Sequence, residues 1–141
     1  MQTWIQRGLL CGMVIFTTNF AWADDHVCRG HLGKVSIDEN IKVPSGVTCS
    51  LTGTQVSGNI EVFKGATLII NKGRVDGNII SKQAKTIKVT SSQVDGNIEA
   101  KTYTPDFIVS NSHVDGNIVC ENGSRLKGGK NHVEGNIECR R

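Results

Sequence analysis

The chain has 141 residues with 16 Lys and Arg against 13 Asp and Glu, a formal net charge of +3. That near-balance excludes the strongly basic footprint of a nucleic-acid binder, and the length fits one domain. Aromatic residues make up only 5% of the chain, too few for the aromatic platforms on which carbohydrate-processing grooves rely.

Arg7 is the only charged residue among the first 23, and a largely apolar run follows from Gly8 to Phe16. Ala21-Trp22-Ala23 then supplies an Ala-x-Ala cleavage site ahead of Asp24-Asp25. This layout predicts a secretory signal peptide over 1–23, cleaved on export to the periplasm or the extracellular space. The apolar run is shorter than the roughly 20 residues a membrane-spanning helix needs, and Leu10 before Cys11 argues against a lipoprotein. Without the signal, Phe63, Tyr103 and Phe107 are the only aromatics, and the cysteines become an even set: Cys28, Cys49, Cys120 and Cys139.

Residues 24–36 precede the first repeat and are expected to cap the open end of the fold. From Ile37 a five-residue word takes over. It reads Val75-Asp76-Gly77-Asn78-Ile79, recurs at Val94–Ile98 and Val114–Ile118, and returns with one change at Val56–Ile60 and Val133–Ile137. A degenerate copy stands at Ile37–Ile41, and the steps from start to start are 19, 19, 19, 20 and 19 residues. A period this short, rich in β-formers and without helical spacing, predicts one turn of a β-solenoid per repeat. The expected fold is therefore all-β: a single-stranded parallel β-helix over 37–141, five full turns plus a partial sixth, roughly 25 Å long at a rise of about 4.8 Å per turn.

Each turn holds two apolar zones, the word itself and a later stretch such as Leu68-Ile69-Ile70 or Phe107-Ile108-Val109. Alternation turns the apolar members inward, and no turn can bury that side without its neighbours. The single 20-residue turn contains Tyr103-Thr104-Pro105, where the extra residue is expected to bulge. The glycine column Gly58, Gly77, Gly96, Gly116 and Gly135 suits a corner with positive φ. Behind it, Asn40, Asn59, Asn78, Asn97, Asn117 and Asn136 form an unbroken column, expected to hydrogen-bond from turn to turn as a structural amide ladder rather than to bind a ligand.

Cys120 and Cys139 share one column in consecutive turns, about 4.8 Å apart, within the range a disulfide tolerates. Cys28 and Cys49 are 21 residues apart at the other end. The spacing predicts Cys28–Cys49 and Cys120–Cys139, one staple at each end; the absence of a Cys-x-x-Cys motif weighs against redox chemistry.

His113 and Asp115 stack on His132 and Glu134, placing two imidazoles and two carboxylates on one outward patch. That donor set suits Zn²⁺ or another divalent transition metal. Earlier turns hold Gln55/Ser57, Arg74/Asp76 and Gln93/Asp95 in the same columns, as a solvated polar face would. The threonine column Thr48, Thr67 and Thr86 is too short for an ice-binding array, and Asn122-Gly123-Ser124 is an unspecific glycosylation sequon. No Ser/His/Asp order, phosphate-binding loop or long insertion is present, so no catalytic residues and no enzyme are expected.

Repeated Val-x-Gly-x-Ile words about one short turn apart resemble the bactofilin-type, polymer-forming β-helix proteins over residues 37–141. The resemblance implies a right-handed parallel β-helix whose units join end to end into filaments without nucleotide. Members of that family are cytoplasmic and do without disulfides, whereas this chain carries an export signal and four mature cysteines, so the fold carries over better than the filament. The expected function is an exported, non-catalytic structural or interaction module, self-associating through its ends or holding an envelope or extracellular protein, without a transmembrane anchor. A small metal-binding protein using the His/carboxylate patch is the alternative, and a polysaccharide-acting enzyme a distant third.

Overall fold

A computed structural model describes residues 25–139, and the expected signal peptide over 1–23 lies outside them. These residues contain no helix and fold as a parallel β-solenoid of about six turns whose strands stack into three sheets. A first face stacks Asp25–Val27, Asn40–Val43, Ile60–Val62, Ile79–Ser81, Ile98–Ala100, Ile118–Cys120 and Ile137–Glu138. A long face stacks Gly30–Leu32, Thr48–Thr52, Thr67–Asn71, Thr86–Thr90, Asp106–Ser110 and Leu126–Lys127. A short face stacks the two-residue strands Ser36–Ile37, Gln55–Val56, Arg74–Val75, Gln93–Val94, His113–Val114 and His132–Val133.

The five-residue word thus spans two faces. Its Val ends a short-face strand, its Gly-Asn pair turns a corner, and its Ile begins the first face. What reads along the chain as one apolar zone is two sheets meeting at an angle. Within the expected cap segment, Asp25–Val27 pairs with Asn40–Lys42, and Gly30–Leu32 with Cys49–Leu51, so these residues join the sheets as a first turn.

Inward alternation is strict. On the long face Leu68 and Ile70, Ile87 and Val89, and Phe107 and Val109 are fully buried, while the residues between them reach the surface. Val56, Val75, Val94 and Val114 line the short face from inside, and Ile41, Ile60, Ile79, Ile98 and Ile118 the first. Each such side chain contributes about 1.5–3 kcal/mol of burial, realised only through the stack. The isoleucine column displays that dependence: Ile79, with a turn on either side, is 0% exposed, and Ile137 in the last turn is 40% exposed.

The corners carry the polar work. At the Gly-Asn corner the glycines do not have positive φ; the expectation fails there because the constraint is space. A Cβ on Gly77 would stand 2.6 Å from the carbonyl oxygen of Gly58 in the turn beneath. The asparagines ladder, but from side chain to backbone. The backbone N–H groups of Asn59, Asn78, Asn97, Asn117 and Asn136 each donate to the Oδ1 of the asparagine one turn earlier, at 2.7–2.9 Å.

Left-handed backbone occurs instead at the other two corners: between the first and long faces at Gly46, Gly65, Gln83 and Asn122, and between the long and short faces at Gly53, Lys72, Ser91, Asn111 and Lys130, the latter with φ of 50–69°. The residue after each of the latter turns inward, and several of these are polar. Gly73 N–H donates to Ser92 Oγ, Ser92 N–H to Ser112 Oγ, and Ser112 N–H to Asn131 Oδ1, at 3.0–3.1 Å. At the third corner the extra residue of the long turn is absorbed within 101–105, and pairing resumes in register at Asp106 opposite Thr86. Tyr103 projects outward there, while Thr104 is fully buried with its hydroxyl 2.7 Å from that of Ser81.

Candidate functional site

Both predicted disulfides are closed, with Cα–Cα distances of 5.6 Å for Cys28–Cys49 and 4.7 Å for Cys120–Cys139. Cys120 and Cys139 are stacked as the column arithmetic requires. Cys28 sits off the strand register, since the residue opposite Cys49 is Gly30. Both bonds tie a terminal turn, which stacks on one side only, to its inner neighbour.

The short face positions the histidine patch. His113 and His132 are directly opposite each other in paired strands, because each precedes an inward Val and must therefore point out. Their rings stack with centroids 4.8 Å apart and planes 14° from parallel. His113 Nε2 lies 2.7 Å from Asp115 Oδ1 and 3.7 Å from Glu134 Oε1. His113, His132 and Glu134 each bring one ligand atom within 4.8 Å of the others, the proximity a metal ion would need. Asp115, expected as a fourth ligand, is not a member of that group, though its Oδ1 lies against the His113 ring.

Further down the same face, Arg74 plays the part of a clamp. Its Nε lies 3.0 Å from Asp76 and its terminal nitrogen 2.8 Å from Asp95, one turn on. The hydrogen bond to Asp76, then the charge of Asp95, raise its pKa above the ordinary arginine value, and the cation relieves the stacked carboxylates. Lys127 and Asp106 pair at 3.2 Å on the long face, and Lys82 and Glu61 at 2.7 Å beside the first. Thr48, Thr67 and Thr86 stack in register, and Asp106 takes the next place. The side-chain amide of Asn122 in the sequon donates to the Lys101 carbonyl at 2.7 Å.

One concavity escaped the sequence. A groove of about 850 Å³ follows the corner between the long and short faces from Lys34 to Lys130. Small residues set its floor back (Thr54, Gly73, Ser92 and Ser112), and the two outward columns beside them form its walls. Its lining includes Lys34, Lys72, Arg74, His113, Lys130 and His132, and no carboxylate. Column arithmetic applied to Lys34, Lys72 and Lys130 could have shown it, since they share one position in turns one, three and six.

No protein-family model, curated protein or solved structure matches this chain.

Proposed function

We propose that the chain is an exported, non-catalytic structural or interaction module whose rods associate end to end. One observation carries this reading. Among the described residues four large hydrophobics are exposed, and two of them, Val35 and Ile137, stand in inward columns of the terminal turns. The same turns end all three sheets and leave strand edges that a further turn would pair. A second copy offers that turn with matching spacing and matching inward columns. Two disulfides fit an oxidising compartment outside the cytoplasm. The test is light scattering and negative-stain microscopy of the mature protein over a concentration series. Linear particles that lengthen with concentration support the reading, and monomers at every concentration overturn it.

The stacked His113 and His132 beside Glu134 favour a second reading, binding of a divalent transition metal. Calorimetric titration with Zn²⁺ decides it. One equivalent of heat that disappears in His113→Ala/His132→Ala supports the site, and identical traces for the two proteins remove it.

A further inference from the structure

We infer that the groove between the long and short faces binds a linear, negatively charged polysaccharide lying along the rod. The site is distinct from the rod ends and does not depend on their association.

Charge segregation is the first support. The chain as a whole is close to balanced, yet every ionisable side chain lining this groove is basic or an imidazole. Arg74 and His113 are already engaged by Asp76, Asp95 and Asp115. Lys34, Lys72 and Lys130 have no carboxylate among the described residues within ion-pair distance, and all three are exposed. They stand in a single column, with Lys34 two turns (about 10 Å) from Lys72 and Lys72 three turns (about 14 Å) from Lys130. A ligand meeting all three must be extended over about 24 Å and carry anionic groups at intervals.

Backbone geometry is the second. Lys72 and Lys130 occupy left-handed positions, φ 55° and 61°, in the column that holds glycine at Gly53 in the second turn. Lys34 lays its stem over Gly53, where a Cβ would come within 2.9 Å of Lys34 Cγ. Long cationic side chains therefore occupy corner positions where backbone preference favours glycine or asparagine.

The wall chemistry selects the polymer class. Gln55, Ser91 and Asn111 present exposed amides and a hydroxyl to the groove, groups that exchange hydrogen bonds with sugar hydroxyls. An extended acidic peptide would add to a free strand edge, but the inner short-face strands are paired on both sides. Single-stranded nucleic acid binds on aromatic stacking platforms, and no Phe, Tyr or Trp lines this groove; the polysaccharide is therefore held by charge and hydrogen bonds without ring stacking, as a non-catalytic surface can do.

The experiment titrates the mature protein with three probes: oligogalacturonate as the linear polyuronate, dextran as a neutral glycan, and poly-glutamate. Each is followed by calorimetry at low and physiological salt. The proposal expects oligogalacturonate to bind at least ten-fold more tightly than either other probe and to weaken as salt rises. It further expects a ten-fold or greater loss in Lys34→Gln/Lys72→Gln/Lys130→Gln. Lys64→Gln/Lys85→Gln/Lys88→Gln removes the same charge outside the groove and should retain binding, and circular dichroism verifies that both variants are folded. Equal affinity for poly-glutamate, equal losses in the two triple variants, or no binding of oligogalacturonate would each overturn it.

Discussion

Glycine does two different jobs in this chain, and substitutions separate them. At Gly77 the limit is the carbonyl of Gly58, which a Cβ would meet at 2.6 Å, well inside the roughly 3.3 Å at which carbon and oxygen sit comfortably. Gly77→Ala should destabilise the fold by about 2 kcal/mol or more, since both contact partners are backbone or a locked asparagine. Ser91 has the converse problem, a left-handed backbone at φ 50° without being glycine. Ser91→Gly relieves about 1–2 kcal/mol of strain and returns part of it as chain entropy, so it should be neutral or stabilise by up to about 1 kcal/mol. Chemical denaturation of both variants checks the opposite signs. At the N-terminal turn Asp25 lies 2.9 Å from Lys42, and that hydrogen bond holds the carboxyl below its ordinary value. A depressed carboxylate stabilises the folded chain above its unfolded pKa of about 3.9 and stops doing so as pH falls through the folded value. Lys42→Gln should therefore shift the Asp25 midpoint upward in an NMR titration, and any difference in melting temperature from the parent should vanish at the acidic end.

At the level of the turn, the repeat word made the period, the inward columns and the disulfide pairing legible before any coordinates. Hydrophobic alternation and a constant strand spacing leave few other arrangements. Corner geometry was not legible, because Gly-Asn suits both a left-handed turn and a tight stack, and composition does not distinguish them. The left-handed column between the long and short faces hides behind Lys72, Ser91 and Lys130, residues that give no local signal for positive φ. His113, His132 and Glu134 were found from register alone, whereas the basic groove was missed because its lining is spread over six turns. The terminal staples are an element-scale device. Each closes a loop of about 20 residues, which should contribute about 3 kcal/mol through the unfolded chain. Cys120→Ser/Cys139→Ser should lower stability by that order, and hydrogen exchange should show the loss concentrated in residues 121–139, with the central turns still protected.

Across the whole molecule, stability accumulates by stacking, so position along the rod decides the cost of a mutation. Ile79→Ala removes a side chain buried between two turns and should cost about 2–5 kcal/mol. Ile137→Ala, in the same column but 40% exposed, should cost less than about 1 kcal/mol in the monomer. Denaturation of the two variants side by side tests the gradient. If rods join end to end, the cost at Ile137 should grow with protein concentration, because the junction buries what the isolated chain leaves open.

The two corner ladders give the rod a direction. Along the asparagine corner each backbone N–H donates toward the N-terminal neighbour's side chain, and along the serine corner each donates toward the C-terminal neighbour's. The two ladders run antiparallel to each other along the inner turns, so the stack has a polarity at both corners. If rods do stack end to end, the filament inherits that direction, and its two tips differ in the groups they offer.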